Sequence, residues 1–158
     1  MTYVPAAMQV AALIQREVTT CSDRDQLHDV ANLMWKHDIG CLPVLGDGGR
    51  VIGMITDRDV CMAAYLQAAP LRSIAVSSAM SREIVSCKES DDVLDVGKTM
   101  RSRQIRRVPV VDDRGALVGM ITLNDLARAA HEGKLPAAEI AQILVAISHP
   151  RLVHPSVG

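Results

Sequence analysis

Two threonine–aspartate pairs stand at the same spacing in the chain and offer the same chemistry. Thr56 is followed three residues later by Asp59, and Thr122 by Asp125. Each threonine opens a helical pattern, so the hydroxyl and the carboxylate lie close together within the first turn. This pairing suits the vicinal hydroxyls of a ribose, and the amide N–H groups at the same helix start suit a phosphate. The alternative is structural, with threonine capping the helix and aspartate complementing its dipole.

The two pairs belong to an internal repeat. Sliding the chain by 66 residues aligns residues 13–64 with 79–130 without a gap, and 19 of those 52 positions are identical. A duplicated unit of this size is one supersecondary motif that does not bury its hydrophobic face alone. Each copy reads as a strand, a helix, two strands joined by a tight turn, and a second helix.

These patterns predict an α/β chain of the α+β kind, with two βαββα units packed sheet to sheet with pseudo-twofold symmetry. We expect a first unit at 8–66, a linker at 67–76, a second unit at 77–131, and a C-terminal helix with an irregular tail at 132–158. The opening strands are predicted at Val18–Cys21 and Ile84–Cys87. Flanking helices are predicted at Pro5–Gln15 and Pro136–Ser148, and the connector Gln67–Ser78 is expected to be partly helical.

Arginines near the second pair are candidates for holding a phosphate. Arg106 and Arg107 are adjacent and precede an apolar run, whereas the first copy has glycine and cysteine at these positions. Arginine binds phosphate through a bidentate fork. Two exposed arginines without a role are the alternative. We expect unequal sites, with the one around Thr122 and Asp125 binding the more strongly. The other site lacks a basic pair, and its phosphate binding would depend on Arg58 or on a residue from the partner unit.

The block G-x-x-T-x-x-D carries a family resemblance. It occurs at Gly53–Asp59 and at Gly119–Asp125, each time after an x-P-V triplet and a hairpin turn. In this register the two blocks resemble the CBS domain, and the resemblance covers residues 8–131. The tandem, stand-alone layout is similar to small bacterial CBS-pair proteins, including those of the mycobacterial hypoxic-response type.

The resemblance implies a non-catalytic regulatory pair, or Bateman module, with a role such as energy sensing. Such pairs commonly bind AMP, ADP, ATP or another adenosyl compound in clefts between the repeats, and Mg²⁺ would arrive with the nucleotide. They usually form homodimers through their helices and act on another protein. An adenine slot needs apolar walls, and plain core packing is the alternative for each of its candidate residues. Those candidates are Val18, Thr20, Pro43, Ile55, Ile84, Ser86, Pro109 and Ile121.

Composition narrows the function classes. The net charge is −1 with acids and bases interspersed, which argues against nucleic acid or a membrane as partner. The start of the chain lacks the features of a signal peptide, and a cytoplasmic location is expected. There is no Phe, so the core must be aliphatic. We expect no metal site, and reduced, packed cysteines are favoured, although a disulfide or redox role for Cys21 and Cys87 stays open.

Three functions from different classes remain at this point. The first is a regulatory module that responds to an adenine nucleotide. The second is a structural or protein-interaction CBS pair without a bound nucleotide. The third, an enzyme or a nucleic-acid binder, is disfavoured because the repeats and flanking helices account for almost the whole sequence and no catalytic set of side chains recurs.

Overall fold

The computed structural model describes residues 7–150 and shows an α+β fold, which confirms the predicted class. In this part of the chain the strands and α-helices follow the order of the repeat, twice over, with one further helix at the end. The elements are β1 (Cys21–Ser22), α1 (Leu27–His37), β2 (Cys41–Leu45), β3 (Val51–Thr56), α2 (Asp57–Gln67), α3 (Val93–Arg103), β4 (Arg107–Val111), β5 (Leu117–Thr122), α4 (Leu123–His131) and α5 (Ala137–Ser148). Short 3₁₀ helices occur at Val10–Ala12, Asp47–Gly49, Leu71–Ser73 and Val76–Ser78.

The opening strand of each repeat is shorter than the sequence predicts, and a proline explains why. β1 pairs in parallel with β2, with Cys21 opposite Val44, and β2 pairs antiparallel with β3. In the second repeat β4 pairs with β5, and the opening strand is reduced to a single parallel bridge between Cys87 and Val110. The next rung of either ladder would need an N–H from Pro43 or from its equivalent in β4, and proline has none.

The predicted N-terminal helix is wrong in its extent. Pro5 lies outside the described residues, and the chain from residue 7 onward forms only the single 3₁₀ turn Val10–Ala12. The reason is that the backbone of this segment bonds elsewhere: the N–H groups of Val10 and Ala11 donate to the carbonyls of Asp91 and Glu89 at 2.9 Å. Those bonds leave the segment too little internal bonding to extend as a helix.

The connector before the second repeat makes the equivalent bonds. The N–H of Val76 donates to the carbonyl of Asp25 at 2.9 Å, and that of Ser77 to Asp23 at 3.1 Å. Each donor and acceptor here is related to one in the N-terminal segment by the 66-residue offset. The segment that precedes each repeat thus bonds to the other repeat. The predicted part-helical connector is confirmed, as the two 3₁₀ turns Leu71–Ser73 and Val76–Ser78.

The described chain divides into two compact units that do not follow the repeat boundaries. One unit contains residues 15–88 together with the hairpin 109–120, and the other contains 7–14, 89–108 and 121–150. The first of these units has an aliphatic core, as the lack of phenylalanine requires. Its largest fully buried side chains are those of Leu27, Val30, Leu42, Val44, Ile55, Ile74 and Val76.

The predicted C-terminal helix is confirmed as α5, with Pro136 at its N-cap. It packs against α3 and α4 through the buried side chains of Ile140 and Ile143. Gly97 on α3 makes this close packing possible: a Cβ there would lie 2.8 Å from Cδ1 of Ile143. The outer side of α5 keeps Leu144 half exposed. The predicted tail extends beyond residue 150 and so lies mostly outside the described residues.

Candidate functional site

The first threonine–aspartate pair forms a closed hydrogen-bonded unit at the start of α2. Thr56 is the N-cap, and both its N–H and its hydroxyl donate to Oδ2 of Asp59 at 2.8 Å. In return the N–H of Asp59 donates to the threonine hydroxyl oxygen at 3.2 Å. This is a capping box. Both side chains are half-buried, so they remain accessible from solvent.

The second pair repeats this geometry at the start of α4 and adds an ion pair. The N–H and the hydroxyl of Thr122 donate to Oδ2 of Asp125 at 2.8 and 2.7 Å. The other carboxylate oxygen, Oδ1, accepts a hydrogen bond from Nη2 of Arg128 at 2.5 Å. The Asp125 side chain is 4% exposed and the Arg128 side chain 67% exposed. Sequence reasoning missed Arg128, although its i+3 spacing from the aspartate is readable from the sequence.

Capping explains the local bonding of both pairs, so the structural interpretation of these residues holds for their contacts within the chain. Capping does not prevent the same carboxylates from also binding a ligand. A carboxylate has about four acceptor positions, and the capping box uses only one oxygen. The rigid cap also fixes the direction of that carboxylate at the helix start.

The amide groups at the start of α2 are already occupied, contrary to the expectation that they are free for a phosphate. The N–H of Asp57 donates to the carbonyl of Gly40 at 3.0 Å. That of Arg58 donates to Oδ1 of Asp57 at 2.8 Å, and that of Asp59 is taken by the capping threonine. A phosphate at this site would therefore depend on side chains. The capping chemistry that competes for these groups follows from the same residue types that suggested the site.

The arginines predicted to bind phosphate lie at accessible positions. Arg106 is exposed, and its carbonyl accepts the N–H of Leu123 at 2.8 Å, which places its backbone against the start of α4. Arg107 is half-buried at the first position of β4, and Arg58 is exposed on the first turn of α2. Arg106 and Arg58 thus each lie beside one of the two helix starts.

The residues predicted for the adenine slot differ widely in exposure. Ile55 and Ile121 have no exposed surface, and Pro43 and Pro109 are buried as well, so in this structure all four belong to the core. The remaining four candidates keep some accessible surface. Val18 and Thr20 are half-buried, while Ile84 and Ser86 are exposed.

A surface cleft of about 370 Å³, which the sequence analysis did not predict, lies at the C-terminal end of α1. Its lining includes Trp35, Asp38, Gly40 and Asp57, and none of the predicted site residues. Gly40 is needed there because a Cβ would lie 2.9 Å from Oδ2 of Asp57. The cleft is therefore separate in its lining from the threonine–aspartate pairs.

The four cysteines are free thiols in this structure. Burial, with smaller contributions from Asp25 and Cys41, raises the pKa of Cys21 to about 12, so this thiol is neutral and unreactive at physiological pH.

Within residues 7–150 no group of three or more His, Cys, Asp or Glu side chains is placed to hold a metal ion. None of the helices in that range has the length and apolar character needed to span a membrane.

The duplicated α+β unit with a Thr–Asp pair at each second helix defines the class of protein. The family model for the CBS domain matches residues 10–65 and 76–132. The chain therefore belongs to the CBS domain family and carries two copies of the domain, as the sequence motifs predicted. CBS domain pairs are in general regulatory, non-catalytic modules.

Particular relatives agree with this assignment. Hypoxic response protein 1 of Mycobacterium tuberculosis is 34% identical over 134 residues, which cover 84% of this chain and 89% of that protein. CBS domain-containing protein YhcV of Bacillus subtilis is 37% identical over 111 residues, covering 70% of this chain and 77% of that protein. A relative from Methanopyrus kandleri is longer, and the matched region spans 61% of it.

A solved structure with a similar fold contains adenosyl ligands. The CBS domain pair of protein MJ0100, crystallised in complex with 5′-methylthioadenosine and S-adenosyl-L-methionine, matches with a TM-score of 0.73 at 26% identity. The match covers 82% of this chain and 100% of that one.

Proposed function

We propose that this protein is a non-catalytic regulatory module that binds an adenosine-containing ligand, of the class of AMP, ADP, ATP or S-adenosylmethionine. One observation carries the proposal: both helix starts present a threonine-bound aspartate of the same geometry, and this geometry suits the two hydroxyls of a ribose. The adenosyl ligands of a similar CBS domain pair support the same class. The proposed output is a change in the affinity of the module for a regulated protein.

Isothermal titration calorimetry with AMP, ADP, ATP, S-adenosylmethionine and 5′-methylthioadenosine, with and without Mg²⁺, tests the proposal. Saturable binding of at least one of them is expected, with GTP as the control for adenine recognition. The variants Asp59→Asn and Asp125→Asn should each weaken one binding event by about tenfold or more, because each removes a charged acceptor. Their combination should weaken both binding events. Wild-type affinity in the double variant would refute the assignment of these carboxylates.

The same experiment decides between a ligand sensor and a structural pair. The capping boxes account for the threonine and aspartate residues without any ligand, and this favours the structural alternative as the second candidate. A module of that kind would bind none of the adenosyl compounds. The two aspartate variants would then change stability alone.

We also propose a homodimer that forms through α1 and α2. These helices leave large apolar side chains exposed, with Trp35 89% and Tyr65 75% accessible, accompanied by Leu66 and Met62. Several large exposed apolar side chains on one pair of helices are typical of an interaction surface. The equivalent helices α3 and α4 are covered by α5 of the same chain. A second copy of this chain is the partner that supplies a matching apolar helix face.

Trp35 reports on this dimer because it is the chain's single tryptophan. Its fluorescence should shift to shorter wavelength as the protein concentration rises through the dissociation constant. The variant Trp35→Glu with Tyr65→Glu should give the monomer mass in sedimentation velocity. A double substitution to glutamate on the exposed side of α5, at Leu144 and Val145, provides the matched control. A wild-type monomer at all concentrations would exclude the dimer.

A further inference from the structure

The two aspartates that we assign to ribose differ in what surrounds their second oxygen. Across residues 7–150, the hydrogen bonds that reach the Asp59 carboxylate end on Oδ2, which leaves Oδ1 open to a ligand. In the second repeat, Oδ1 of Asp125 accepts from Arg128. The residue equivalent to Arg128 in α2 is Met62, which carries neither charge nor hydrogen-bond donor.

We propose that Arg128 masks the ribose-binding carboxylate of the second repeat. As a consequence, adenosyl compounds without a phosphate bind first at Thr56 and Asp59. The masking rests on the function proposed above, and it adds a residue that sets which ligand each repeat accepts.

The strength of the masking follows from the groups that compete for one oxygen. A ribose hydroxyl is a neutral donor, whereas the guanidinium is charged, and charge-assisted hydrogen bonds are about twice as strong as neutral ones. Asp125 is almost fully buried, so losing the arginine would leave its charge poorly compensated. A ribose must either displace Arg128 or bind through fewer acceptors. Asp59 is half-buried and carries no such constraint.

Ligand affinity at the second site depends on two separate effects, one on the phosphate and one on the sugar. Stronger binding at the second site is predicted from Arg106 and Arg107, which would contact a phosphate. That prediction therefore applies to ligands that carry a phosphate. Masking by Arg128 affects only the binding of the ribose hydroxyls to Asp125. A ligand without a phosphate reports the sugar alone, and 5′-methylthioadenosine is such a ligand.

An exchange of the two equivalent residues tests the masking by calorimetry with 5′-methylthioadenosine. In an Asp59→Asn background, which reports the second site, Arg128→Met should raise the affinity roughly tenfold. In an Asp125→Asn background, which reports the first site, Met62→Arg should lower it by a similar factor. Because Met62 also lies on the proposed dimer face, sedimentation velocity must show the same oligomeric state for the two proteins that are compared. Arg128→Gln is the second variant in case the methionine alters the surface. Thermal melts establish that each protein is folded.

Each result bears on the proposal. An affinity that is unchanged in both Arg128 variants would overturn the masking, while ligand binding by the wild type would leave the proposed function standing. If Arg128→Met leaves 5′-methylthioadenosine unaffected and weakens AMP, Arg128 is a phosphate ligand and the masking is wrong. If neither compound binds to any of the proteins, the proposed function fails and the masking fails with it.

Discussion

The two repeats share a backbone plan and differ in what covers their helices. In the second repeat α5 lies on α3 and α4, and Gly97 provides the space that Ile143 fills. In the first repeat the position of Gly97 is taken by Ala31, and the neighbouring helix surface exposes Trp35. At the position equivalent to Trp35 the second repeat has Arg101, which donates to Gln142 of α5 at 3.1 Å.

The comparison shows which features of the repeat are retained in both copies and which differ between them. The hydrogen bonds that define the repeat are retained in both copies: the capping boxes at α2 and α4 match atom for atom. Two of the differences bear on function: the outer helix surfaces, and the third residue after each aspartate, which is Met62 in one repeat and Arg128 in the other. Buried backbone N–H and C=O groups need hydrogen-bond partners in both copies. The outer surface of a helix has no such requirement, so it can pack against another helix, bind a partner or face solvent.

The contact between α5 and the second repeat gives the largest expected effect. Replacing Ile143 by alanine should reduce the free energy of unfolding by about 2–5 kcal/mol, because the side chain is buried and its loss leaves a cavity. Val145→Ala on the exposed side of the same helix should change it by less than about 0.5 kcal/mol. Urea denaturation measures both. Equal costs would mean that α5 contributes nothing through its buried side.

A larger residue at Gly97 tests the same contact from α3. A Cβ at this position meets Ile143, so Gly97→Val should destabilise the protein by about 1–3 kcal/mol through overpacking. The matched variant is Ala31→Val at the equivalent position of α1, which is half-buried, and its cost should be smaller. Thermal unfolding followed by circular dichroism compares the two. A larger loss at Ala31 would show that the difference between the repeats lies in their cores.

Most elements of this fold are predicted from the sequence. The elements that are not predicted depend on contacts between residues far apart in the chain. The duplication, both hairpins and both capped helices follow from residue spacing, which is local. The short opening strands do not, because the missing rung depends on Pro43 in a strand about 20 residues away. The N-terminal segment was misassigned because its N–H groups bond to Glu89 and Asp91, at a distance along the chain that no periodicity records.

The sequence predicted the threonine–aspartate pairs of the candidate site. It did not predict that an arginine contacts only one of the two aspartates. Both threonine–aspartate pairs came from a motif, and the motif ends at the aspartate. Arg128 lies three residues beyond it, and whether an exposed arginine reaches a buried carboxylate depends on the rotamers of both. The Trp35 cleft was missed because its walls come from the end of α1 and the start of α2, which become neighbours only through the intervening hairpin.

The capping threonines allow a finer comparison of the two helix starts. Thr56→Val and Thr122→Val each remove a capping hydroxyl, and each should cost about 1 kcal/mol of unfolding free energy. The cost at Thr122 should be the larger, since the hydroxyl there also donates to an almost fully buried carboxylate. Chemical denaturation of the two variants gives the difference. A greater cost at Thr56 would contradict the stronger burial of the second cap.

Cysteine reactivity tests burial within the first repeat. Cys21 and Cys87 occupy equivalent buried positions, whereas Cys61 is exposed on α2. Iodoacetamide at pH 8 should label Cys61 at least about a hundredfold faster than Cys21, because only the thiolate reacts and the folded state keeps the Cys21 thiol neutral. Mass spectrometry of the labelled peptides measures these rates.

The pKa of Cys21 also fixes the sign of a pH effect on stability. Burial raises that pKa from its ordinary value of 9.0 to about 12, so the folded protein holds the thiol proton where the unfolded chain has lost it. The stabilisation is complete below pH 9 and decreases as the pH rises toward 12. Cys21→Ser should flatten this decline, and Cys61→Ala should leave it intact. Labelling of Cys21 in native protein at the same rate as in urea would show that the first repeat opens around its parallel strand.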